Sequence, residues 1–205
     1  EEWSALYVRG SKGVGTDHFI TLSQILLQKC SEWHEQTPLV LGTGDIKQAY
    51  DNASVELCAN ALIASGCHPA LVAAICVENS GLHARAPFEG VDCAGPFNKS
   101  IRQGSVEGGE LFRKLTLYIV APLVRHWREV DVGLSIDEVG IPLILWVDIF
   151  WVFARSERVL FYMLSGLEAT LHKHGMEFKP PSMGLSPSPA LLCTTAYGCL
   201  PGSKV

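Results

Sequence analysis

The longest apolar stretch of the sequence spans residues 141–154 and contains Pro142 and Asp148. It is shorter than the roughly 20 apolar residues that a helix needs to cross a bilayer, and a carboxylate within it opposes insertion into a membrane. Its Ile, Leu, Val, Trp and Phe residues favour strands, and Asp148 interrupts them where a turn would fall. The stretch therefore predicts a buried β-hairpin over residues 140–147 and 150–154, with one carboxylate at its tip.

The composition of the 205-residue chain is typical of a folded globular domain, with 48% hydrophobic and 18% charged residues. The net charge of -5 argues against a protein dedicated to nucleic-acid binding, although it leaves room for a local basic patch. No C-x-x-C pair occurs among the seven cysteines, which favours free thiols in a reducing compartment over a zinc ribbon or a thioredoxin motif. No secretory signal is recognisable. We therefore expect an intracellular protein, nuclear or cytoplasmic, that is neither secreted nor embedded in a membrane.

Hydrophobic periodicity and turn residues predict a mixture of helices and strands. Helical spacing of apolar residues occurs in five stretches, which begin near Asp17, Val55, Pro69, Leu111 and Glu157. Strand-forming residues bounded by turn residues occur, besides the hairpin, over residues 39–46, 82–88, 96–101 and 176–179. From residue 180 onward Pro, Ser and Gly dominate without any period, and this composition predicts an aperiodic tail.

Two aspartates are notable because each lies at the end of an apolar strand. Asp45 is near the end of the strand predicted over residues 39–46, and Asp148 lies at the hairpin tip. Burial of either carboxylate without a partner is unfavourable, so each lies at the surface or binds a cation. Taken singly, both are explained as ordinary turn or helix-capping residues. If their strands are neighbours, however, the two carboxylates form a pair suited to Mg²⁺.

Four short motifs resemble those of reverse transcriptases and follow one another in that family's order. Residues 45–51, DIKQAYD, resemble the first palm motif D-x-x-x-A-[FY]-D, and residues 101–105, IRQGS, resemble the Gln-Gly-Ser motif. Residues 146–149, WVDI, stand where the family has [FY]-x-D-D, and residues 175–179, GMEFK, resemble the next palm motif. The Gly-rich basic loop and the helix that precede these motifs, over residues 10–33, are similar to the segment that precedes the palm in non-LTR retrotransposon enzymes. On these motifs the chain is identified as a fragment of a non-LTR-type reverse transcriptase.

The resemblance implies an α+β fold, namely a right-hand polymerase palm in which an antiparallel sheet is backed by helices. It also implies partial fingers over residues 1–37, the palm over residues 38–179, a Pro/Ser/Gly-rich tail over residues 180–205, and no thumb. The implied activity is RNA-templated DNA synthesis by two-metal nucleotidyl transfer, with Mg²⁺ or Mn²⁺ as cofactor. The implied partners are an RNA template, a DNA primer and deoxynucleoside triphosphates (dNTPs).

The same resemblance assigns roles to individual residues. Those implied to bind the catalytic metals are Asp45 and Asp148, assisted by the backbone of Ile46. Those implied to contact the incoming nucleotide are Ala49, Tyr50, Gln103 and Gly104. Those implied to contact nucleic acid are Arg9, Lys12 and Arg102. Tyr50 would be the steric gate that excludes a 2′-hydroxyl, and the alternative interpretation of Tyr50 is a core aromatic residue.

Ile149 departs from the family's pattern, because it replaces the second aspartate of [FY]-x-D-D with a side chain that has no oxygen. Loss of a carboxylate from a metal site lowers activity, since the charge of the cation is no longer balanced. One hypothesis is therefore a reverse transcriptase domain with impaired activity, and a second is a non-catalytic nucleic-acid-binding or interaction remnant. A third is a small cytosolic domain with a buried hairpin and no ligand, which wide separation of Asp45 from Asp148 would favour.

Overall fold

The computed structural model describes residues 16–32, 39–80, 82–88, 91–97, 101, 105, 107–136, 139–179, 187–188 and 191–195. The described helices are α1 (Thr16–Glu32), α2 (Val55–Ala64), α3 (Pro69–Glu78), α4 (Gly108–Glu129) and α5 (Glu157–Lys173). The described strands are β1 (Leu39–Asp45), β2 (Leu82–Phe88), β3 (Val91–Phe97), β4 (Leu134–Ile136), β5 (Val139–Ile141), β6 (Leu143–Trp146), β7 (Ile149–Ala154), β8 (Pro187–Ser188) and β9 (Leu191–Thr195). The chain divides into two compact units, residues 1–47 with 119–205, and residues 48–118.

The first unit is built on a five-stranded sheet in the order β6-β7-β1-β9-β8. β1 pairs antiparallel with β7, and β7 pairs antiparallel with β6 to form the hairpin that the sequence predicts. β1 also pairs in parallel with β9, so this sheet is mixed and not purely antiparallel as the resemblance implies. The parallel partner comes from the segment expected to be an aperiodic tail. Pairing with β9 provides hydrogen-bond partners for backbone N–H and C=O groups on the second edge of β1, which would otherwise be unpaired.

Side chains cover both faces of β1. On one face Leu39 and Leu41 pack in a buried cluster with Leu26 of α1 and Phe153 of β7. On the other face α5 approaches so closely that a Cβ added to Gly42 would lie 2.9 Å from a methyl group of Leu160. A strand covered on both faces is continuously apolar rather than alternating, and the run Leu39-Val40-Leu41 has this pattern.

The predicted hairpin is shorter at its start than the sequence suggests. Residues 139–141 form β5, which pairs with β4 in a separate two-stranded sheet, and β6 begins only at Leu143. Pro142 separates the two strands because proline has no backbone N–H to donate to a ladder. Its carbonyl still accepts a hydrogen bond of 3.0 Å from the N–H of Phe153, so the chain stays against β7 at this point.

The second unit contains α2, α3, the β2–β3 hairpin and the first half of α4. Ser54 caps α2 by accepting a hydrogen bond of 3.0 Å from the N–H of Leu57, and Pro69 opens α3. β3 covers residues 91–97 rather than the predicted 96–101, because pairing with β2 continues up to Phe88 and Val91 beside the turn. Among the described helices of both units, none combines the length and hydropathy that crossing a membrane requires.

A buried thiol in the second unit predicts how stability depends on pH. Cys58 of α2 is 5% exposed, and burial, with a smaller contribution from Cys76, raises its pKa from 9.0 to about 12. The folded state therefore retains a proton that the unfolded chain loses above pH 9, and the stability falls as pH rises from about 9 to 12. At pH 10.5 we expect this thiol to lower the free energy of unfolding by about 2 kcal/mol relative to pH 8.

Urea unfolding of the native chain and of Cys58→Ala, each at pH 8 and pH 10.5, measures this contribution. Other groups titrate in the same range, so the comparison uses the pH-dependent difference and not the absolute stability. We expect the native chain to lose about 2 kcal/mol more than the variant between the two pH values. Equal losses would show that the thiol of Cys58 ionises as freely in the folded state as in the unfolded chain.

Candidate active site

Strand register brings the two notable aspartates to the same end of the first unit's sheet. Asp45 is the last residue of β1 and lies directly opposite Ile149, the first residue of β7. Directly opposed residues in an antiparallel pair have Cα atoms about 4.5–5.5 Å apart. Asp148 immediately precedes Ile149 in the β6–β7 turn, and its carbonyl accepts a hydrogen bond of 2.9 Å from the N–H of Ile46. Asp45 and Asp148 are therefore neighbours across adjacent strands, and the wide separation required by the third hypothesis is not observed.

The two oxygens of the Asp45 carboxylate have different surroundings. Oδ2 accepts a hydrogen bond from Lys179 Nζ at 3.2 Å, and the same pair forms a salt bridge. Oδ1 is buried and has no hydrogen-bond partner within the described part of the chain. A buried carboxylate oxygen left without a partner is unfavourable, and a cation or a donor relieves that cost. The residues present thus fit a hard divalent cation, which prefers carboxylate oxygens.

A short segment after α5 lies alongside the end of β1. The sequence predicts a strand over residues 176–179, and the structure has there a single isolated antiparallel bridge between Phe178 and Ile46. The N–H of Lys47 donates to the carbonyl of Glu177, and the N–H of Lys179 donates to the carbonyl of Asp45, both at 2.8 Å. These backbone bonds hold the Lys179 side chain beside the Asp45 carboxylate. The sequence motifs do not predict this contact between Lys179 and Asp45.

An aromatic pair packs against the strand end that carries Asp45. Phe150 is 1% exposed, and its ring occupies the space that a Cβ at Gly44 would need. The Phe150 ring also contacts that of Phe178, with the ring centroids 4.8 Å apart. The sequence analysis does not predict a role for Gly44, Phe150 or Phe178. A glycine inside an otherwise apolar strand, which often marks a close approach, was the available signal.

The close approach at Gly44 predicts that Gly44→Ala destabilises the protein. The added methyl group would overlap the Phe150 ring, which must shift within a closely packed core, at an expected cost of about 1–3 kcal/mol. Gly140→Ala is the matched control, because a Cβ at this second strand glycine would meet no atom within 4 Å. Chemical denaturation should show a lower midpoint for Gly44→Ala alone. Equal midpoints for the two variants would mean that the Phe150 ring moves aside freely.

The turn that carries Asp148 has a strained backbone. Val147 has a φ of 58°, although β-branched residues rarely adopt the left-handed region. Such a conformation costs about 1–3 kcal/mol and persists only where the surrounding structure imposes it. Here the paired strands on both sides impose it, because Trp146 and Ile149 close the turn as a ladder pair. Nothing in the sequence signals this strain.

Ile149 places an apolar side chain where the resembled motif has a second aspartate. Its side chain is 39% exposed, and it lies opposite Asp45 in the register. Across the ranges that the structure describes, no group of three or more His, Cys, Asp or Glu residues is arranged to hold a metal ion. The candidate site therefore consists of Asp45, with its orphaned Oδ1, Asp148 and Lys179, and the Lys47–Glu177 ion pair lies at the same end of β1.

The structure describes only two of the other site residues expected from the sequence. Ala49 and Tyr50 belong to the second unit, where Ala49 is buried. The Tyr50 ring stacks on that of Phe112 with a centroid distance of 4.8 Å. The backbone carbonyl of Tyr50 accepts a hydrogen bond of 3.1 Å from the N–H of Ile101. The remaining expected residues lie outside the described residues, and they are Arg9, Lys12, Arg102, Gln103 and Gly104.

Comparison with known proteins identifies a structural relative. No protein-family model matches the sequence, and no curated protein matches it significantly. Among solved structures, the chain matches apo telomerase from Candida tropicalis truncated from its C-terminal domain, with a TM-score of 0.58 and 16% sequence identity. Its fold is similar to that of telomerase. The match covers 91% of this chain and 38% of the telomerase chain, so the chain spans well under half of that protein's length.

The likeness at this low identity concerns the fold alone. The chain therefore has a fold like that of the 38% of the telomerase chain that the match covers. The described helices, the mixed five-stranded sheet and the two small antiparallel sheets are compatible with the α+β class expected from the sequence.

Proposed function

We propose that this chain is a reverse transcriptase domain of the non-LTR type, which transfers deoxynucleotides to a DNA primer on an RNA template. The observation that carries the proposal is the meeting of Asp45 and Asp148 at adjacent strand ends, where Asp45 Oδ1 is buried without a partner. The fold likeness to telomerase supports the same family. Under this proposal the five-stranded sheet and its helices correspond to the palm.

In the proposed mechanism, Asp45 and Asp148 would hold Mg²⁺ or Mn²⁺. When bound, the metal would supply positive charge to the attacking 3′-hydroxyl and to the departing pyrophosphate. Pairing of β1 with β7 fixes the backbone of Asp45, and the hydrogen bond from Ile46 fixes that of Asp148, which would lower the reorganisation needed at the moment of reaction. The buried Phe150 ring occupies the space at Gly44, next to Asp45 in β1.

The roles of the remaining residues form part of the same proposal. Four residues would contact the incoming dNTP, and they are Ala49, Tyr50, Gln103 and Gly104. Three basic residues would contact the template and primer, and they are Arg9, Lys12 and Arg102. The backbone of Ile46, whose N–H is already bonded to the carbonyl of Asp148, would add its own carbonyl to the metal site.

Primer extension with Ile149→Asp tests the proposal. Restoring a carboxylate opposite Asp45 adds a ligand at a half-exposed position, so its desolvation cost is small. We expect incorporation of dNTPs on an RNA template in Mg²⁺ or Mn²⁺ to rise about tenfold over the native chain, since added negative charge tightens cation binding. Ile149→Asn is the matched control, because asparagine has nearly the shape of the introduced aspartate but carries no charge. A rise of the same size in Ile149→Asn would argue against a role in charge balance.

A second candidate function is a nucleic-acid-binding remnant without chemistry. The half-exposed Ile149 favours it, because the position opposite Asp45 offers no oxygen to a cation. A remnant would bind an RNA–DNA primer-template with an affinity that falls steeply as salt rises. It would incorporate no nucleotide even as Ile149→Asp. Binding assays over a salt series, run beside the primer-extension assay, separate the two functions.

A further inference from the structure

Lys179 has an unusual relation to Asp45, because it contacts that residue through both its backbone and its side chain. Its N–H donates to the Asp45 carbonyl at 2.8 Å, and its Nζ lies 3.2 Å from Asp45 Oδ2. The backbone bond holds the lysine at this position, so its ammonium is always within reach of the carboxylate. The side chain of Lys179 is nevertheless 60% exposed, compared with 35% for Asp45. An ammonium with that exposure can leave the carboxylate for solvent without disrupting packed atoms.

We infer that Lys179 is an internal cation that competes with divalent metal for the Asp45 carboxylate and so sets the metal affinity of the site. This inference rests on the proposed function, since it assumes that Asp45 is a metal ligand. In the absence of metal, the ammonium balances the negative charge of Asp45 through Oδ2. When metal binds, Lys179 withdraws toward solvent or remains as a repulsive neighbour. Both responses weaken metal binding relative to a site without the lysine.

The competition follows from the charges at this end of the sheet. Lys179 offsets the negative charge of Asp45, so this carboxylate presents less net charge to a divalent cation. A divalent cation at Oδ1 would share a single carboxylate with the ammonium on Oδ2, at a separation well within the Debye length of about 8 Å at 0.15 M salt. Repulsion between the two cations at such a distance is only partly screened. The missing carboxylate at Ile149 increases the effect, because no further negative charge on β7 compensates for the lysine.

A second lysine nearby provides an internal comparison. Lys47 lies two residues beyond Asp45, and its Nζ pairs with Glu177 Oε2 at 3.4 Å. The Lys47 and Lys179 side chains are both about half exposed, and both belong to the pairing between the end of β1 and the segment after α5. Only Lys179 touches the metal-binding carboxylate in the described ion pairs. A general effect of positive charge would therefore appear in both lysines, whereas competition for Asp45 would appear in Lys179 alone.

Titration with Mn²⁺ at low salt, with the free ion measured by electron paramagnetic resonance, tests this inference without requiring catalysis. Lys179→Met keeps the length of the side chain and removes its charge. We expect the dissociation constant of Lys179→Met for Mn²⁺ to fall about five- to tenfold. The metal no longer has to displace the ammonium from Asp45, and the repulsion between the two cations is removed. Lys179→Arg and Lys47→Met should each remain within about twofold of the native chain. Circular dichroism confirms folding, and Lys179→Gln replaces Lys179→Met if the latter aggregates.

The outcomes separate this inference from the proposed function. Equal tightening in Lys47→Met and Lys179→Met would show a general charge effect and overturn the competition. Unchanged affinity in Lys179→Met, with native binding that Asp45→Asn abolishes, would also overturn it while leaving the metal site and the proposed function intact. If the native chain and Lys179→Met both fail to bind Mn²⁺, the metal site itself is absent and both proposals fail.

Discussion

Asp45→Asn should lower both Mn²⁺ binding and dNTP incorporation by about 100-fold or more. Even the loss of a residue that only supports a metal ligand commonly costs 10–100-fold in affinity or activity, and loss of a charged ligand costs more. The substitution keeps the shape of the side chain and its place beside Lys179, but it removes the negative charge that the cation requires. Primer extension on an RNA template measures the incorporation, and Mn²⁺ titration measures the binding. Both are repeated in the Ile149→Asp background, where we expect higher starting activity.

Asp51→Asn is the matched control for this prediction. Asp51 belongs to the same motif and is exposed, but it lies in the second unit and outside the proposed metal ligands. We expect this control to retain incorporation within a few-fold of its parent. Equal losses in Asp45→Asn and Asp51→Asn would remove the reason for assigning the metal to Asp45. Retained activity in Asp45→Asn would contradict the proposed function directly.

Trp127→Ala should lower the free energy of unfolding by about 3–5 kcal/mol. Trp127 lies on α4 and is 1% exposed, and a Cβ added to Gly166 of α5 would lie within 4 Å of its ring. Truncation therefore removes the largest buried side chain between these helices and leaves a cavity that closely packed neighbours cannot fill. Urea unfolding followed by circular dichroism measures the loss. This cost is a large fraction of the 5–15 kcal/mol that stabilises a typical domain.

Tyr118→Ala on the same helix is the control for the tryptophan. Tyr118 is 40% exposed, so truncation removes less buried area than it does at Trp127, and we expect a smaller loss of about 1–2 kcal/mol. A loss for Trp127→Ala no larger than this would mean that α4 does not contribute to a packed core through Trp127.

Local patterns in the sequence were sufficient for most helices and strands. The capping oxygens of Ser54 and Ser156 predict the starts of α2 and α5, and both side chains accept the expected hydrogen bonds. The hairpin at Asp148 was also predictable, because a polar residue within a strongly apolar run can hardly lie anywhere but in a turn. These features depend on interactions between residues close in sequence. Pro142 shows the limit of local patterns. The sequence predicts one strand across this proline, but residues 139–141 pair with β4 and residues 143–146 pair with β7, and local patterns do not specify which strands pair.

The family resemblance added an expectation about the site that periodicity could not supply. The order of the motifs predicts that Asp45 and Asp148 bind metal together. The register of β1 on β7 and the hydrogen bond from Ile46 to Asp148 make the two residues neighbours. The roles of Tyr50 and of the basic residues remain predictions. Tyr50 stacks on Phe112 in the second unit, and that contact is compatible with the core role that the sequence left open.

By itself, the sequence determined the order of the elements, the apolar character of β1 and the hairpin, and the two aspartates at strand ends. These follow from hydrophobic spacing and turn chemistry within a few residues. The tertiary structure alone decided that Lys179 meets Asp45, that the Phe150 ring fills the space at Gly44, and that β9 pairs in parallel with β1. Each of these contacts joins residues far apart in sequence, where spacing carries no information about distance. The charge balance at the candidate metal site is therefore a property of the fold, because the lysine that sets it reaches Asp45 only through strand pairing.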